Sequence, residues 1–143
     1  MQNSFMQVGN TPLIKLSVLK PEEGASIWLK VESGNPIGSY KDRMAISVIG
    51  QALRQGKLSL KQTVVEYTGG STGSALAFAC ASLGLKFTAI FSDAFSYSKQ
   101  LAMEAFGAEV LIVPAHGKGI SPELIEKMKA LAHEKVDEMN GFY

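Results

Sequence analysis

The chain is read as an α/β protein, a three-layer αβα arrangement with a mostly parallel sheet, preceded by short N-terminal extended segments. Three observations lead there. Strand–helix units follow one another three times from Thr63 onward. Their central strands, Phe87 to Phe91 and Val110 to Val113, are continuous apolar runs rather than alternating ones, as strands covered on both faces require. The helix Ser74-Ala75-Leu76-Ala77-Phe78-Ala79-Cys80-Ala81 is small and apolar on nearly every side, hence buried. Crossovers between such strands are expected to be right-handed, and ligands are expected at the carboxyl ends of the strands.

Each element has its local reason. Pro12 to Leu16 is a short extended segment after the Gly9-Asn10 turn. From Ser26 to Glu32 the chain alternates, with Ile27, Leu29 and Val31 on one side and Trp28, Lys30 and Glu32 on the other. That pattern predicts a half-buried strand. Gly34, Pro36 and Gly38 mark a turn, and Ser39 is placed to cap a helix that ends near Gly56. On a wheel of about 100° per residue, Met44, Ala45, Val48, Ile49, Ala52 and Leu53 share one face of it. Arg43 falls opposite. Thr63 to Tyr67 reads as a strand, the 68–73 loop opens the next helix, and Gly84 stops that helix. Ser96 or Ser98 caps a further helix closing at Gly107. Ser121-Pro122-Glu123 is an N-cap, a proline at the first helical position and a first-turn acid, and that last helix runs to about Asn140.

Composition narrows the function classes. The 143 residues are 46% hydrophobic, enough for a real core. A net charge of +1 gives no electrostatic reason to expect nucleic acid or an anionic membrane as partner. The single cysteine, Cys80, excludes an internal disulfide and suits a reducing compartment. Met1 to Asn10 lacks the basic and apolar regions of a signal peptide, and no apolar stretch approaches a membrane span. A cytoplasmic protein is the expectation.

Lys41 is the residue that stands out. It falls near the middle of the apolar stripe, in the first turn of its helix. There the helix dipole and burial both disfavour an ammonium. A free lysine, with a pKa of about 10.4, is neutral in about one molecule per thousand at pH 7.4. Lowering that pKa by about two to three units makes a usable nucleophile for a carbonyl. The competing reading is a lysine that snorkels its ammonium to the helix edge.

The loop Thr68-Gly69-Gly70-Ser71-Thr72-Gly73 is the second chemical feature. It leaves a strand, opens a helix, and offers backbone N–H groups and hydroxyls to an anion, carboxylate or phosphate. Its Thr-x-Gly-x-x-Gly spacing is one residue short of the dinucleotide fingerprint, and Asp93 follows about twenty residues later. A nucleotide-binding half-domain is therefore an alternative, and a structural tight turn another. Cys80 reads as a core thiol. His116 and His133 lie far apart with no cysteine near, so no metal site is expected.

Four motifs stand in order: Gly9-Asn10-Thr11-Pro12-Leu13, Asn35-Pro36-x-Gly38-Ser39-x-Lys41-Asp42-Arg43, the Thr-Gly-Gly-Ser-Thr-Gly loop, and Gly107-Ala108-Glu109-Val110. Together they resemble the first part of a pyridoxal-phosphate enzyme of the tryptophan-synthase-β fold type, closest to the cysteine synthases. The resemblance covers nearly the whole chain. It implies that Lys41 forms the internal aldimine with pyridoxal 5'-phosphate and removes the substrate α-proton. It implies that residues 68–73 hold the substrate carboxylate, with Ser71 also near the cofactor's ring hydroxyl. The reaction implied is β-replacement or β-elimination on an amino acid such as O-acetylserine, a lyase or transferase step in cysteine metabolism.

The resemblance also has departures. Cysteine synthases usually read Thr-Ser-Gly-Asn-Thr-Gly, whereas this chain has Gly69 and Ser71. A hydroxyl at 71 reaches less far than an amide, so the substrate differs or is held differently. Such enzymes continue into a second domain with a glycine-rich phosphate loop and a polar residue facing the pyridine nitrogen. Nothing after Gly73 matches either, and His116-Gly117-Lys118-Gly119 differs in sequence and position. The expectation is an N-terminal part in two units. Residues 1–38 would pack on the missing domain, and residues 39–143 would form the small αβα domain. Alone it would be inactive, and it would act as a homo-oligomer or with a C-terminal half. A silent truncated homologue acting through assembly is the further alternative.

Overall fold

The structure, a computed structural model, describes residues 7–18 and 24–143. Of the N-terminal unit expected over 1–38, residues 1–6 and 19–23 lie outside the described residues. The elements are β1 (Leu13–Leu16), β2 (Ile27–Lys30), α1 (Lys41–Arg54), β3 (Thr63–Tyr67), α2 (Ser71–Leu83), β4 (Lys86–Ser92), α3 (Tyr97–Ala105), β5 (Glu109–Val113) and α4 (Pro122–Met139). One turn of 3-10 helix, Glu32–Gly34, precedes α1.

β3, β4 and β5 form a parallel sheet in that order, with Val64 opposite Phe87 and Ala89 opposite Val110. Alternation along the strands separates two cores. Val64, Phe87, Ala89 and Phe91 face α2 and Met103, and α1 packs outside on α2. Val65 and Ile90 face α4 through Leu124, Met128 and Ala132. Helices therefore cover both faces, the three-layer arrangement expected from the apolar strands. α2 is built for this position, because Ala75, Ala77, Ala79 and Cys80 are all buried and let two elements approach closely. Burial in that layer pushes the Cys80 thiol up to about 12, which makes it an inert core group.

The helix ends follow their local signals. The Ser121 Oγ accepts from Leu124 N at 3.2 Å, with Pro122 at the first position, and Asn140 closes α4 in the left-handed conformation. Gly84 ends α2 with φ +71°, and Leu85 N donates to Cys80 O behind it. Beyond α4, Phe142 joins the edge of β3: its N donates to Thr63 O, and Val65 N donates to its O.

Four expectations are corrected. β2 is exposed at every residue rather than half-buried, because among the described residues its one strand partner is β1, itself exposed except at Leu16. β5 buries only Val113 fully, since it is the edge strand of the sheet. Ser39 is not the helix cap. Tyr40 precedes the helix in helical conformation, while Ser39 Oγ accepts from Lys41 N at 3.1 Å. Finally, the buried stripe of α1 is Asp42, Ala45, Ile49 and Ala52, whereas Val48 is 44% exposed. The stripe is rotated toward Asp42, so Lys41 sits at its half-buried border rather than its centre.

Candidate active site

The turn before α1 is held by one buried carboxylate. Asp42 is 0% exposed. Its Oδ1 accepts from Ile37 N at 3.0 Å and its Oδ2 from Ser39 N at 3.1 Å. Both donors come from the turn that delivers the chain into Lys41. A carboxylate in a helix first turn is also favoured by the helix dipole. Asn35, nearly fully buried, fixes the other side of the turn by donating from Nδ2 to Ser39 O and to Glu32 O, each at 3.0 Å.

Arg43, the next residue, forms a two-pronged ion pair. Its Nε donates to Glu32 Oε2 and its Nη2 to Glu32 Oε1, both at 2.8 Å, and Nη2 also reaches Thr11 Oγ1 at 2.9 Å. Thr11 Oγ1 donates to Glu32 Oε1 at 2.6 Å, and Gly9 N donates to Asn35 Oδ1 at 2.9 Å. The hydrogen bond from the Arg43 guanidinium, followed by that from Thr11, holds the Glu32 carboxyl down at about 2. The same pair raises the Arg43 pKa above its ordinary value. The first two sequence motifs are thus one hydrogen-bonded clip around the start of α1. Sequence placed Glu32 only on one side of a strand and Asp42 only within a motif, with no role for either; an Asp one place past a lysine in an apolar stripe is the signal that points to the second.

Lys41 itself is the first residue of α1, half-buried, with Nζ 5.3 Å from the centre of the Tyr40 ring. No carboxylate pairs with it among the described residues. A cation over an aromatic face is worth about 0.5–1 kcal/mol at an exposed site, a weak tether that leaves the amine available.

The 68–73 loop is shaped from within. Thr68, 3% exposed, turns its side chain inward, where Oγ1 accepts from Gly73 N at 2.9 Å and from Gly70 N at 3.2 Å. Two of the N–H groups expected to face an anion are therefore already satisfied, and the Thr68 hydroxyl is not displayed. Gly69, Ser71 and Thr72 have no such backbone partner among the described residues. Gly73 is required by space: a Cβ there would sit 2.5 Å from both Met103 Sδ and Thr68 Cγ2. Ser71 and Thr72, half-buried, open α2 and carry the loop's outward hydroxyls.

The two features open two helices that pack on each other. α1 ends at Arg54 shortly before β3 begins, and α2 starts directly after β3. Both helices therefore run back from the carboxyl edge of the sheet, and they pack side by side. Lys41 is the first residue of one and Ser71 the first residue of the other. Two positive helix ends, an amine and free N–H groups on one edge suit an anionic substrate that also carries or meets a carbonyl.

The other candidates fall elsewhere. Asp93 Oδ1 accepts from Ala115 N at 2.7 Å and from Ser92 Oγ at 3.3 Å, so it ties two loops together rather than standing free for a ribose. His116 lies in the loop after β5. His133, on α4, stacks on Tyr143 with ring centres 4.7 Å apart. Among the described residues no helix is long and apolar enough to cross a membrane.

Comparison with known proteins follows the same lines. The family model described as pyridoxal-phosphate dependent enzyme matches residues 5–143. Cysteine synthase B of Escherichia coli (strain K12) is 42% identical over 106 residues, which are 74% of this chain and 35% of that protein. O-ureido-L-serine synthase of Streptomyces lavendulae is 39% identical over 131 residues, 87% of this chain and 40% of that protein. A crystal structure of O-ureido-L-serine synthase superposes with a TM-score of 0.86 at 33% identity, covering 99% of this chain and 43% of that one. The chain thus spans well under half the length of these relatives.

Proposed function

Because the chain belongs to the family of pyridoxal-phosphate dependent enzymes, we propose that it is the part of a cysteine synthase-like enzyme that supplies the cofactor's lysine and the grip on the substrate carboxylate. The observation that carries this reading is the shared edge: α1 and α2, packed together, begin there with Lys41 and Ser71. The reaction proposed is β-replacement or β-elimination on an amino acid bearing a leaving group on Cβ, of the O-acetylserine kind. Relatives named cysteine synthase and O-ureido-L-serine synthase support that class.

The residues present fit the cofactor in part. Lys41, unpaired by any described carboxylate and backed by a fixed turn, is the amine that would hold pyridoxal phosphate through its aldehyde carbon. When not holding the cofactor, the same Nζ would be the base for the substrate α-proton and the acid that can return it. The N–H groups of Gly69, Ser71 and Thr72 would orient the substrate carboxylate, and the Ser71 hydroxyl would help to hold the cofactor. Thr68 keeps the loop in shape. When bound, the cofactor supplies the electron sink for the α-carbon.

The phosphate is the part to which we assign no donors among the described residues. Its donors, on this proposal, come from the portion of the family's length that the chain does not span. Each charge-assisted hydrogen bond to a phosphate is worth about 1.5–3 kcal/mol. Three of them amount to several orders of magnitude in affinity, at about 1.4 kcal/mol per tenfold. The chain alone is therefore expected to hold the cofactor weakly and to lack turnover. On the same reading the complete enzyme is cytoplasmic and oligomeric, and residues 1–38 pack on its second domain.

Borohydride reduction after adding pyridoxal phosphate, followed by peptide mass mapping, tests the central claim. The adduct is expected on Lys41, and Lys41→Ala should remove the visible absorption band. Label found mainly on exposed lysines such as Lys118, and absent from Lys41, would sink the reading.

A further inference from the structure

Gly69 departs from the serine usual in the family motif, and the structure shows a neighbour filling the space. A Cβ built on Gly69 would lie 2.8 Å from Phe95 Cε1 and 3.1 Å from both Cδ1 and Cζ. Carbon atoms do not pack that closely, so a side chain at 69 and the ring at 95 compete for one volume. We propose that Phe95 is a specificity-determining residue of the 68–73 loop, giving it an apolar wall where a hydroxyl-bearing side chain would otherwise stand. The proposal rests on the reading of that loop as a carboxylate grip.

The ring is not a free end that can swing aside. Phe95 sits in the turn after β4, where its N donates to Ser92 O at 3.1 Å and Ala94 N donates to the buried Ser92 Oγ at 3.2 Å. Asp93 anchors the same turn to Ala115. The ring itself packs on Phe91, with centres 5.5 Å apart, and Phe91 is 1% exposed. It contacts both core layers while remaining half-exposed beside the exposed Gly69.

A second contact points the same way. The stem of Lys99, in the first turn of α3, lies over the next glycine, with Cγ 3.4 Å from the position of a Gly70 Cβ. The turn after β4 and the first turn of α3 thus lay an aromatic ring and a run of methylenes along two consecutive glycines. The first two glycines of the loop, which lead into the free N–H groups of Ser71 and Thr72, are flanked by carbon. A carboxylate with an apolar group on its neighbouring carbon gains contact there, and a bare or hydroxylated one does not.

Amide titration of the 143-residue chain with sodium acetate and sodium benzoate reads this directly. The two probes share a carboxylate and differ by a ring. Both are expected to shift the amides of Gly69, Ser71 and Thr72, with benzoate bound about fivefold tighter or more. Phe95→Ala should bring benzoate down to the acetate level, while Phe95→Leu, which keeps an apolar side chain and the fold, should retain part of the preference. Gly69→Ser should weaken both probes with Phe95 present and recover acetate binding in combination with Phe95→Ala. A benzoate preference that survives Phe95→Ala overturns this inference alone. If neither carboxylate moves the three amides, the carboxylate reading of the loop falls and this inference falls with it.

Discussion

At the residue scale, the site depends on groups that touch no substrate. Asp42 is the clearest: a fully buried carboxylate whose two oxygens each take a backbone N–H from the turn before Lys41. Asp42→Ala strands both donors in a site that water does not reach. The expected loss is about 1.5–3 kcal/mol, in the range for a hydrogen bond to a charged group, read as a drop in the urea midpoint. Asp42→Asn should lose less stability but lower the share of reductive pyridoxal-phosphate label on Lys41 relative to surface lysines. Unchanged labelling would show that Asp42 serves the fold alone. Sequence made Lys41 and the glycine-rich loop visible, because both carry composition that stands out locally. Asp42 stands in the second motif but received no role from sequence, because a wheel of apolar positions does not show which backbone groups a charge will bond. Thr68 was misread for a related reason: spacing locates a hydroxyl but not the direction it turns.

At the element scale, α1 is fastened to the N-terminal segment by the Arg43–Glu32–Thr11 clip rather than by apolar packing alone. Pattern reading placed both helices and strands well, since their caps and apolar runs are local signals. The clip pairs side chains eleven and more positions apart, which periodicity cannot see. It has a pH signature. Glu32 titrates at about 2 in the folded chain and near 4.5 when unfolded, so the folded state binds fewer protons between those values. Its stabilising contribution is whole above about pH 4.5 and is lost as the pH falls toward 2. Thermal melts across that window should show stability falling with acid. Glu32→Gln should flatten that part of the profile while lowering stability at neutral pH. A variant whose acid limb is as steep as the parent's would show that other carboxylates set it.

At the scale of the whole molecule, no element among the described residues forms a layer over either side of the β1–β2 hairpin. Its register pairs Ile14 with Leu29 and Leu16 with Ile27 on one face, and Lys15 with Trp28 on the other. The second face has a partial answer in solvent, because Lys15 Nζ lies 5.8 Å from the Trp28 ring. The first face has none: Ile14, Ile27 and Leu29 are 49%, 41% and 50% exposed. The alternation that made β2 read as half-buried was therefore a true record of an apolar face, but of one that none of the described residues covers. Apolar patches of this kind draw proteins together, and the 143-residue chain is expected to run as a dimer or larger species in light scattering. Ile14→Lys with Leu29→Glu should return it to a monomer, because the substituted residues face each other across the strands and an opposite-charge pair keeps the hairpin registered. The β3–β5 sheet and its helices should melt as before, since none of their core residues is touched. A parent chain that is a clean monomer with β-replacement turnover would show that the hairpin face needs no cover and that the chain works alone. If the parent associates but the double variant does so equally, the contact lies on another surface, such as that bearing the exposed Val48 of α1.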